Sequence, residues 1–426
     1  MDLSVKYDTL QLSREMLVRQ AGQHLTNMKS FTQQWCKVNP GDAGLVGKGA
    51  SKAVEASEGT AVGQLFQKFM PLNDDLAGSG ERSLDDLIKL HEGAADAMGK
   101  TIDTYAETDE FVYNALAKIL NTLGVSTEPF SDPRDNPVRL GAAEHAAKST
   151  YAYGGEGEPN LIGQSAIDTA RAIQYHDYTT RRRATQEARA ASSDRSMNEV
   201  QDASSFLVPP EAPSSEMEDL RWSAGAILGS IDWVIEQLTG KSLLNELIFK
   251  HLIGDWKAVQ KAGIAWKEIS DAAVAVGQND SEILPALSEW TGNGSESAIS
   301  FIKQLSENTT AFHDVATFFS STMSFFASAL KAAAAGIGAI LKFISNMILK
   351  LLAKLAVPVA GWLAAGIDVA LSVNKVIGQI KLAYTLVNIL YDTLSKFVAA
   401  KAKGAEIEYI LANMAEAQSR REAAVQ

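Results

Sequence analysis

The segment LSEWTGNGSESA, residues 287–298, joins two stretches with helical apolar periodicity, and it decides the fold. Apolar residues recur every three or four positions through residues 252–273 before it and through residues 298–326 after it. Such spacing places one apolar stripe along each of two helices. Two striped helices joined by a short turn predict an antiparallel helical hairpin. The first helix is predicted to end within Gly277–Asp280, and Ser295 is predicted to cap the second.

The first 125 residues repeat this arrangement. Apolar positions with helical spacing run through residues 10–35 and again through residues 84–119. Ser83 and Asp86 have the spacing of a capping box, so the second helix is predicted to begin near Ser83, after a glycine-bearing loop. These two helices predict a second hairpin.

Two short motifs resemble those of type VII (ESX) secretion substrates. The bend at Trp290 and Gly292 resembles the Trp-x-Gly turn of the WXG family, in which two helices flank the turn. The stretch TYAETDEFVYNAL, residues 104–116, resembles the Tyr-x-x-x-Asp/Glu export motif, with Tyr105 and Asp109 on one helical face. In ESX pairs the two motifs come from opposite partners and meet at one end of a four-helix bundle. This chain carries both, in the order found in secreted EspB-type proteins with fused PE-like and PPE-like halves.

The resemblance implies a non-enzymatic secreted substrate or effector. Its export signal would be a composite end formed by Tyr105, Asp109, Trp290 and Gly292, recognised by the type VII machinery or by an export chaperone. Pairing with a second WXG-type protein, or self-association, is also expected from this family. The chain departs from the EspB type in its longer middle segment and its different carboxy terminus. On the pattern alone two plainer interpretations stay open: Trp290 only packs against the apolar interface, and Asp109 only ends a solvated stretch.

These patterns predict an all-α protein in four parts. Residues 1–125 form the hairpin with the tyrosine motif, and residues 126–219 form a proline-containing middle segment. Residues 220–330 form the hairpin with the tryptophan bend, and residues 331–426 form an apolar helical extension that ends in a charged helix. The two antiparallel hairpins together predict a four-helix-bundle-like core.

The part after residue 330 is strongly apolar and allows two interpretations. Its first lysines project from one side of a helix, at Lys331, Lys342, Lys350 and Lys354. The wide apolar face opposite them meets either other helices, as the spine of a core, or lipid, with the lysines at anionic headgroups. In the second case the protein permeabilises a membrane through residues 318–373, and Trp362 joins the lysines in contacting it. No single-pass anchor is expected, because the longest uncharged run has sixteen residues and a span needs roughly 18 strongly apolar ones.

Composition limits the partners and the compartment. A net charge of -12 and an isoelectric point near 5.1 argue against nucleic acid as a partner. The single cysteine, Cys36, cannot form an internal disulfide, which fits folding in a reducing cytosol. The amino terminus lacks the apolar core of a signal peptide. We therefore expect a protein that folds in the cytoplasm and is then secreted or held at the cell envelope, without a cleavable signal peptide.

No residue pattern in the sequence supports catalysis. The histidines are scattered without metal-ligand spacing, and the two Gly-Lys-Ser/Thr triplets lack the first glycine of a phosphate-binding loop. We therefore predict no enzymatic activity, no cofactor and no metal.

Overall fold

The computed structural model describes ten stretches of the chain, and every regular element in them is helical. The described residues are 6–38, 64–122, 126–135, 139–141, 143, 197–211, 256–287, 290, 293–355 and 362–425. Within them the backbone alone is described at residues 257, 293, 348–355, 362–374, 417 and 419–425. The predicted all-α class is confirmed.

The helices differ widely in length. Near the amino terminus, α1 (Tyr7–Arg19), a π-helical turn (Gln20–Leu25), α2 (Thr26–Phe31) and a second π-helical turn (Thr32–Cys36) follow without a break and form the amino-terminal rod. Next come α3 (Gln64–Thr122) and a short 3-10 helix (Ala203–Phe206). The remaining helices are α4 (Trp256–Ser281), α5 (Ile283–Leu287), α6 (Asn293–Leu355) and α7 (Trp362–Val425).

The five long elements form one bundle. Helices α4 and α6 make the predicted antiparallel hairpin, and the rod packs antiparallel against α3. Helix α7 lies against both α6 and α3, and the rod contacts α4, so the elements close into a ring. The two predicted hairpins therefore share one core within a single chain, and α7 adds a fifth helix to it.

The carboxy-terminal extension belongs partly to this core. The predicted boundary at residue 331 falls inside α6, which continues without interruption to Leu355. One face of α7 is buried in the bundle through Leu390, Leu394, Phe397, Ala400, Ile407 and Leu411. These side chains therefore pack against the other helices of the bundle, whereas those of an independent extension would contact solvent or lipid.

An aromatic layer joins four of the helices. Phe69 of α3 stacks on Phe326 of α6, with ring centroids 5.3 Å apart, and meets Phe397 of α7 edge-on at 5.4 Å. Trp256 of α4 lies 5.0 Å from Phe66 and 5.9 Å from Phe326. Aromatic pairs of this geometry add about 0.5–1.5 kcal/mol each beyond the apolar area that they bury. The layer thus fixes the relative positions of α3, α4, α6 and α7.

Small residues let α4 and α6 approach closely. Ser306 donates a hydrogen bond to the carbonyl of Gly277 at 2.8 Å, and Ser320 donates to that of Gly263 at 2.7 Å. A Cβ atom at Gly277 would overlap the hydroxyl of Thr310. Gly277 therefore serves helix packing inside α4, which ends at Ser281, one residue after the predicted stretch Gly277–Asp280.

The start of α3 differs from the prediction. The helix begins at Gln64, so Ser83 lies inside it, buried at 1% exposure, and does not cap it. Pro71 is also within the helix, where its missing N–H costs about 3 kcal/mol. Phe66 and Phe69 lie about one helical turn apart and are both fully buried, and the free energy of this burial offsets that cost.

The bundle has two different ends. One, the Trp290 end, contains Tyr7, Tyr105, Asp109 and Trp290. At the other end α6 and α7 are the only described helices that continue past the aromatic layer. Residues 331–355 of α6 and 362–391 of α7 form this second end, the projecting hairpin. Residues 220–255, most of the middle segment and Gly292 lie outside the described residues.

Candidate functional site

The tryptophan bend is a tight, hydrogen-bonded turn at the Trp290 end. The backbone N–H of Trp290 donates to the carbonyl of Leu287 at 3.1 Å, and the Ser295 hydroxyl donates to the same carbonyl at 3.2 Å. A Cβ atom at Gly294 would lie 2.9 Å from the Trp290 ring, so only glycine allows the indole to rest against the start of α6. Ser295 lies inside the first turn of α6 and closes the bend; its predicted role as a cap is wrong.

Trp290 and Tyr105 are in contact. Their ring centroids are 6.3 Å apart and their planes make an angle of 85°, an edge-to-face arrangement. Trp290 is 5% exposed and belongs to the core, whereas Tyr105 is half-buried. The structure thus brings together two of the four residues of the predicted signal, one on α3 and one in the bend before α6. Because Trp290 is buried, it is not a surface signal.

Asp109 is exposed one turn beyond Tyr105 and accepts a hydrogen bond from a residue that the sequence did not single out. Tyr7 Oη, on the rod, donates to Asp109 Oδ2 at 2.7 Å. Partial burial and the hydrogen bond to Asp109 raise the pKa of Tyr7 above its ordinary value. Tyr7 lies one helical turn before Leu10, the first residue of the apolar stripe. This position on the stripe is the sequence feature from which a contact of Tyr7 with α3 could have been predicted. Three elements, the rod, α3 and the tryptophan bend, therefore meet here.

The predicted apolar stripe of α3 is exposed beyond Asp109. Its large side chains are among the most exposed apolar residues described: Phe111 (75%), Val112 (48%), Leu116 (55%), Ile119 (59%) and Leu120 (39%). We call these five residues the α3 apolar strip. Carboxylates at Glu107, Asp109 and Glu110 adjoin it and are also exposed. The arrangement is an acidic patch followed by an apolar surface on one helix.

A short segment of the middle region packs beside the strip. Tyr113 Oη donates a hydrogen bond to the Glu128 carbonyl, and the Tyr113 and Phe130 rings lie 5.6 Å apart. Arg134 pairs with Asp132 at 2.6 Å and with Asp103 of α3 at 3.4 Å. These contacts hold residues 126–135 against α3 and leave the strip open on its other sides among the described residues.

A buried ion pair connects α3 to α4 in the body of the bundle. His91 Nε2 lies 2.9 Å from Asp280 Oδ2, and His91 Nδ1 lies 2.7 Å from the Leu87 carbonyl. Both side chains are fully buried. Burial lowers the pKa of His91, but the charge and hydrogen bond of Asp280 outweigh it and the net shift is upward. The pair holds the helix that carries Tyr105 to the helix that leads to Trp290.

A second buried polar cluster fixes residues 197–207 to the rod. His24 donates from Nε2 to Glu199 Oε1 at 2.7 Å, and its Nδ1 accepts from the Ser204 hydroxyl at 2.8 Å. Arg19 Nη1 donates to Glu199 Oε2 at 3.0 Å. Burial raises the pKa of Glu199, yet the hydrogen bonds from His24 and Arg19 bring it below its ordinary value. This cluster could not be predicted from spacing in the sequence, because its members lie up to 180 residues apart.

The remaining predicted contact residues lie at the opposite end. Lys331 and Lys342 are exposed on α6. Lys350, Lys354 and Trp362 lie on described helices, but their side chains are outside the described set. Within the described stretches no group of three His, Cys, Asp or Glu side chains could hold a metal ion.

No protein-family model matches this chain, and neither the curated proteins nor the solved structures contain a match to it.

Proposed function

We propose that this protein is a non-enzymatic substrate of a type VII (ESX) secretion system, exported in its folded state, and that the Trp290 end is the part that the export machinery recognises. The observation that carries the proposal is the edge-to-face contact between Trp290 and Tyr105. The two residues belong to motifs 185 positions apart in the chain. In the secretion family that the motifs resemble, a tyrosine motif and a tryptophan turn likewise share one end of a bundle.

The burial of Trp290 defines its role in the proposal. Since the indole is covered, Trp290 positions Tyr105 and the start of α6, and a receptor does not touch it directly. The groups that a receptor can reach are the Asp109 carboxylate, the exposed side of Tyr105 and the α3 apolar strip. A secretion ATPase or an export chaperone that binds here needs a basic group for Asp109 and an apolar surface for the strip.

The alternative function, permeabilisation of a membrane through residues 318–373, is less well supported. One described helical segment, Gly294–Met347, is long and apolar enough to cross a membrane, with a mean hydropathy of 1.6 in a window that is 50% buried. Insertion would require Phe319, Met323 and Phe326 to leave the bundle core, where all three are fully buried. Lipid tails are as apolar as the bundle core, so this transfer would gain no hydrophobic free energy, whereas the packing contacts of the three side chains would be lost.

Replacement of Asp109 by Asn tests the proposal. The change keeps the shape of the side chain and removes its charge, so a receptor loses a charge-assisted hydrogen bond worth about 1.5–3 kcal/mol. We expect the ratio of secreted to cellular protein in a host with an active type VII system to fall at least about tenfold. Urea unfolding of the purified variant should differ from that of the parent by less than about 1 kcal/mol.

Glu107→Gln is the matched control. Glu107 is exposed on the same helix, half a turn from Asp109, and the substitution makes the same change of charge. Export of this variant should equal that of the unmodified protein. Equal export of Asp109→Asn and Glu107→Gln would contradict recognition of the Asp109 carboxylate.

A further inference from the structure

We propose that the projecting hairpin binds the surface of an anionic lipid bilayer. This function is separate from export, and it involves the end of the molecule opposite to Trp290.

The hairpin presents apolar side chains outside the bundle core. Phe343 on α6 is 44% exposed, and on α7 Ile377 is 40%, Leu382 47% and Tyr384 36% exposed. Gly336 lies against Leu386, so the two helices pack directly on each other and leave these side chains on their outer faces. A helical surface with large apolar groups outside its packing interface is suited to the boundary between lipid headgroups and acyl chains.

The charge of the hairpin differs in sign from that of the whole chain. Residues 331–391 contain six lysines, no arginine, no glutamate and a single acidic residue, Asp368. The complete chain has a net charge of -12. Within the described side chains of the hairpin, Lys331, Lys342, Lys375 and Lys381 are exposed. A lysine-rich surface on an acidic protein is complementary to the negative potential of anionic lipids.

On both helices an exposed lysine stands next to an exposed apolar side chain. Lys342 precedes Phe343, and Lys381 precedes Leu382. Lysine can extend its ammonium group to the headgroups while a neighbouring apolar side chain enters the acyl region.

A second copy of the chain fits this surface less well than lipid does. Two hairpins placed face to face would bring lysines of the same sign together, which is unfavourable at an interface. An anionic bilayer satisfies both the charge and the apolar groups.

Vesicle flotation with the purified full-length protein tests the inference. We expect binding to vesicles of phosphatidylcholine and phosphatidylglycerol in a 3:1 ratio and at least about tenfold weaker binding to phosphatidylcholine alone. The triple variant Lys342→Glu, Lys375→Glu, Lys381→Glu should lose at least about tenfold in affinity, because each lysine near an anionic surface contributes about fivefold. A second variant, Phe343→Ser with Leu382→Ser, should lose the part of the binding that persists at high salt.

The matched control makes the same change of charge, three Lys→Glu substitutions, at the end of the bundle that contains Trp290. Lys100, Lys118 and Lys303 are exposed, and replacing all three by Glu should leave vesicle binding unchanged. Equal loss in both triple variants would overturn the proposal, since net charge alone would then explain the binding. Equal affinity for neutral and anionic vesicles, or no binding to either, would overturn it as well.

Two further readouts identify the other occupants. The first is sedimentation velocity. If the protein self-associates, the hairpin variants abolish this self-association and no vesicle binding is found, the surface belongs to a second copy and the lipid proposal is refuted. Release of an encapsulated dye at micromolar protein would indicate permeabilisation, which is incompatible with binding at the surface alone.

Discussion

The two ends of this bundle differ in charge, in packing and in what they expose. The Trp290 end gathers three elements around a buried indole and presents carboxylates beside the α3 apolar strip. Among the described residues the projecting hairpin consists of two helices, and it presents lysines among apolar side chains. Apolar exposure alone therefore does not define a partner. The charge beside it does, because a basic receptor fits the first end and an anionic surface fits the second.

The largest expected effect concerns packing at the Trp290 end. Trp290→Ala removes a side chain that is 5% exposed and contacts both Tyr105 and α6, so the free energy of unfolding should fall by about 3–5 kcal/mol. Leu382→Ala on the projecting hairpin should change it by less than about 0.5 kcal/mol, because Leu382 is 47% exposed. Urea unfolding of both variants measures the difference. Equal losses would remove the distinction between a packed end and an open one.

The next effect depends on pH. The pKa of His91 is higher in the folded state than its ordinary value of 6.5 in the unfolded chain. The His91–Asp280 pair therefore contributes its full stability below pH 6.5, and this contribution is lost as the pH rises through the folded-state pKa of His91. In His91→Gln the free energy of unfolding should be about 1.5–3 kcal/mol lower at pH 6, and the difference should shrink in alkaline solution.

Hydrogen exchange localises this loss. Because the pair joins α3 to α4, amides around Tyr105 and in the last turns of α4 should lose protection at alkaline pH before those of the projecting hairpin do. A difference between parent and His91→Gln that does not vary with pH would mean that His91 is not charged in the fold.

The smallest effect concerns the hydrogen bond from the rod to Asp109. Tyr7→Phe keeps the ring and removes the hydroxyl, and it should cost about 0.5–1.5 kcal/mol of stability. Export should fall by less than it does in Asp109→Asn, because the carboxylate remains while its orientation is less fixed. Export that falls further in Tyr7→Phe than in Asp109→Asn would indicate that the receptor binds Tyr7 itself.

The spacing of apolar residues correctly predicted the helices whose apolar stripe packs against one other helix. The buried faces of α4 and α6 follow the predicted spacing from Trp256 to Ala273 and from Ile302 to Phe326. The start of α3 could not be predicted, since Pro71 and nearby glycines favour a loop locally. Only the aromatic layer, formed by residues distant in the sequence, makes the helix favourable there.

The candidate site was predictable to a lesser degree. The resemblance to secretion motifs singled out Tyr105, Asp109 and Trp290, but spacing along the chain cannot show that two rings touch. It also cannot show that Trp290 is buried or that Tyr7 donates to Asp109, because both depend on the packing of the rod and the bend on α3. The lysines of the projecting hairpin were visible in the sequence, whereas which of its apolar residues are exposed required the structure.

Export dependence is the most direct test of the proposed function. The intact protein is expressed in an actinobacterial host with an active type VII system and in an isogenic strain that lacks the system's ATPase, and the amount in each culture supernatant is compared with that of a cytosolic marker. We predict that the protein accumulates in the supernatant of the first strain and stays in the cells of the second. Equal amounts in both supernatants would contradict the account.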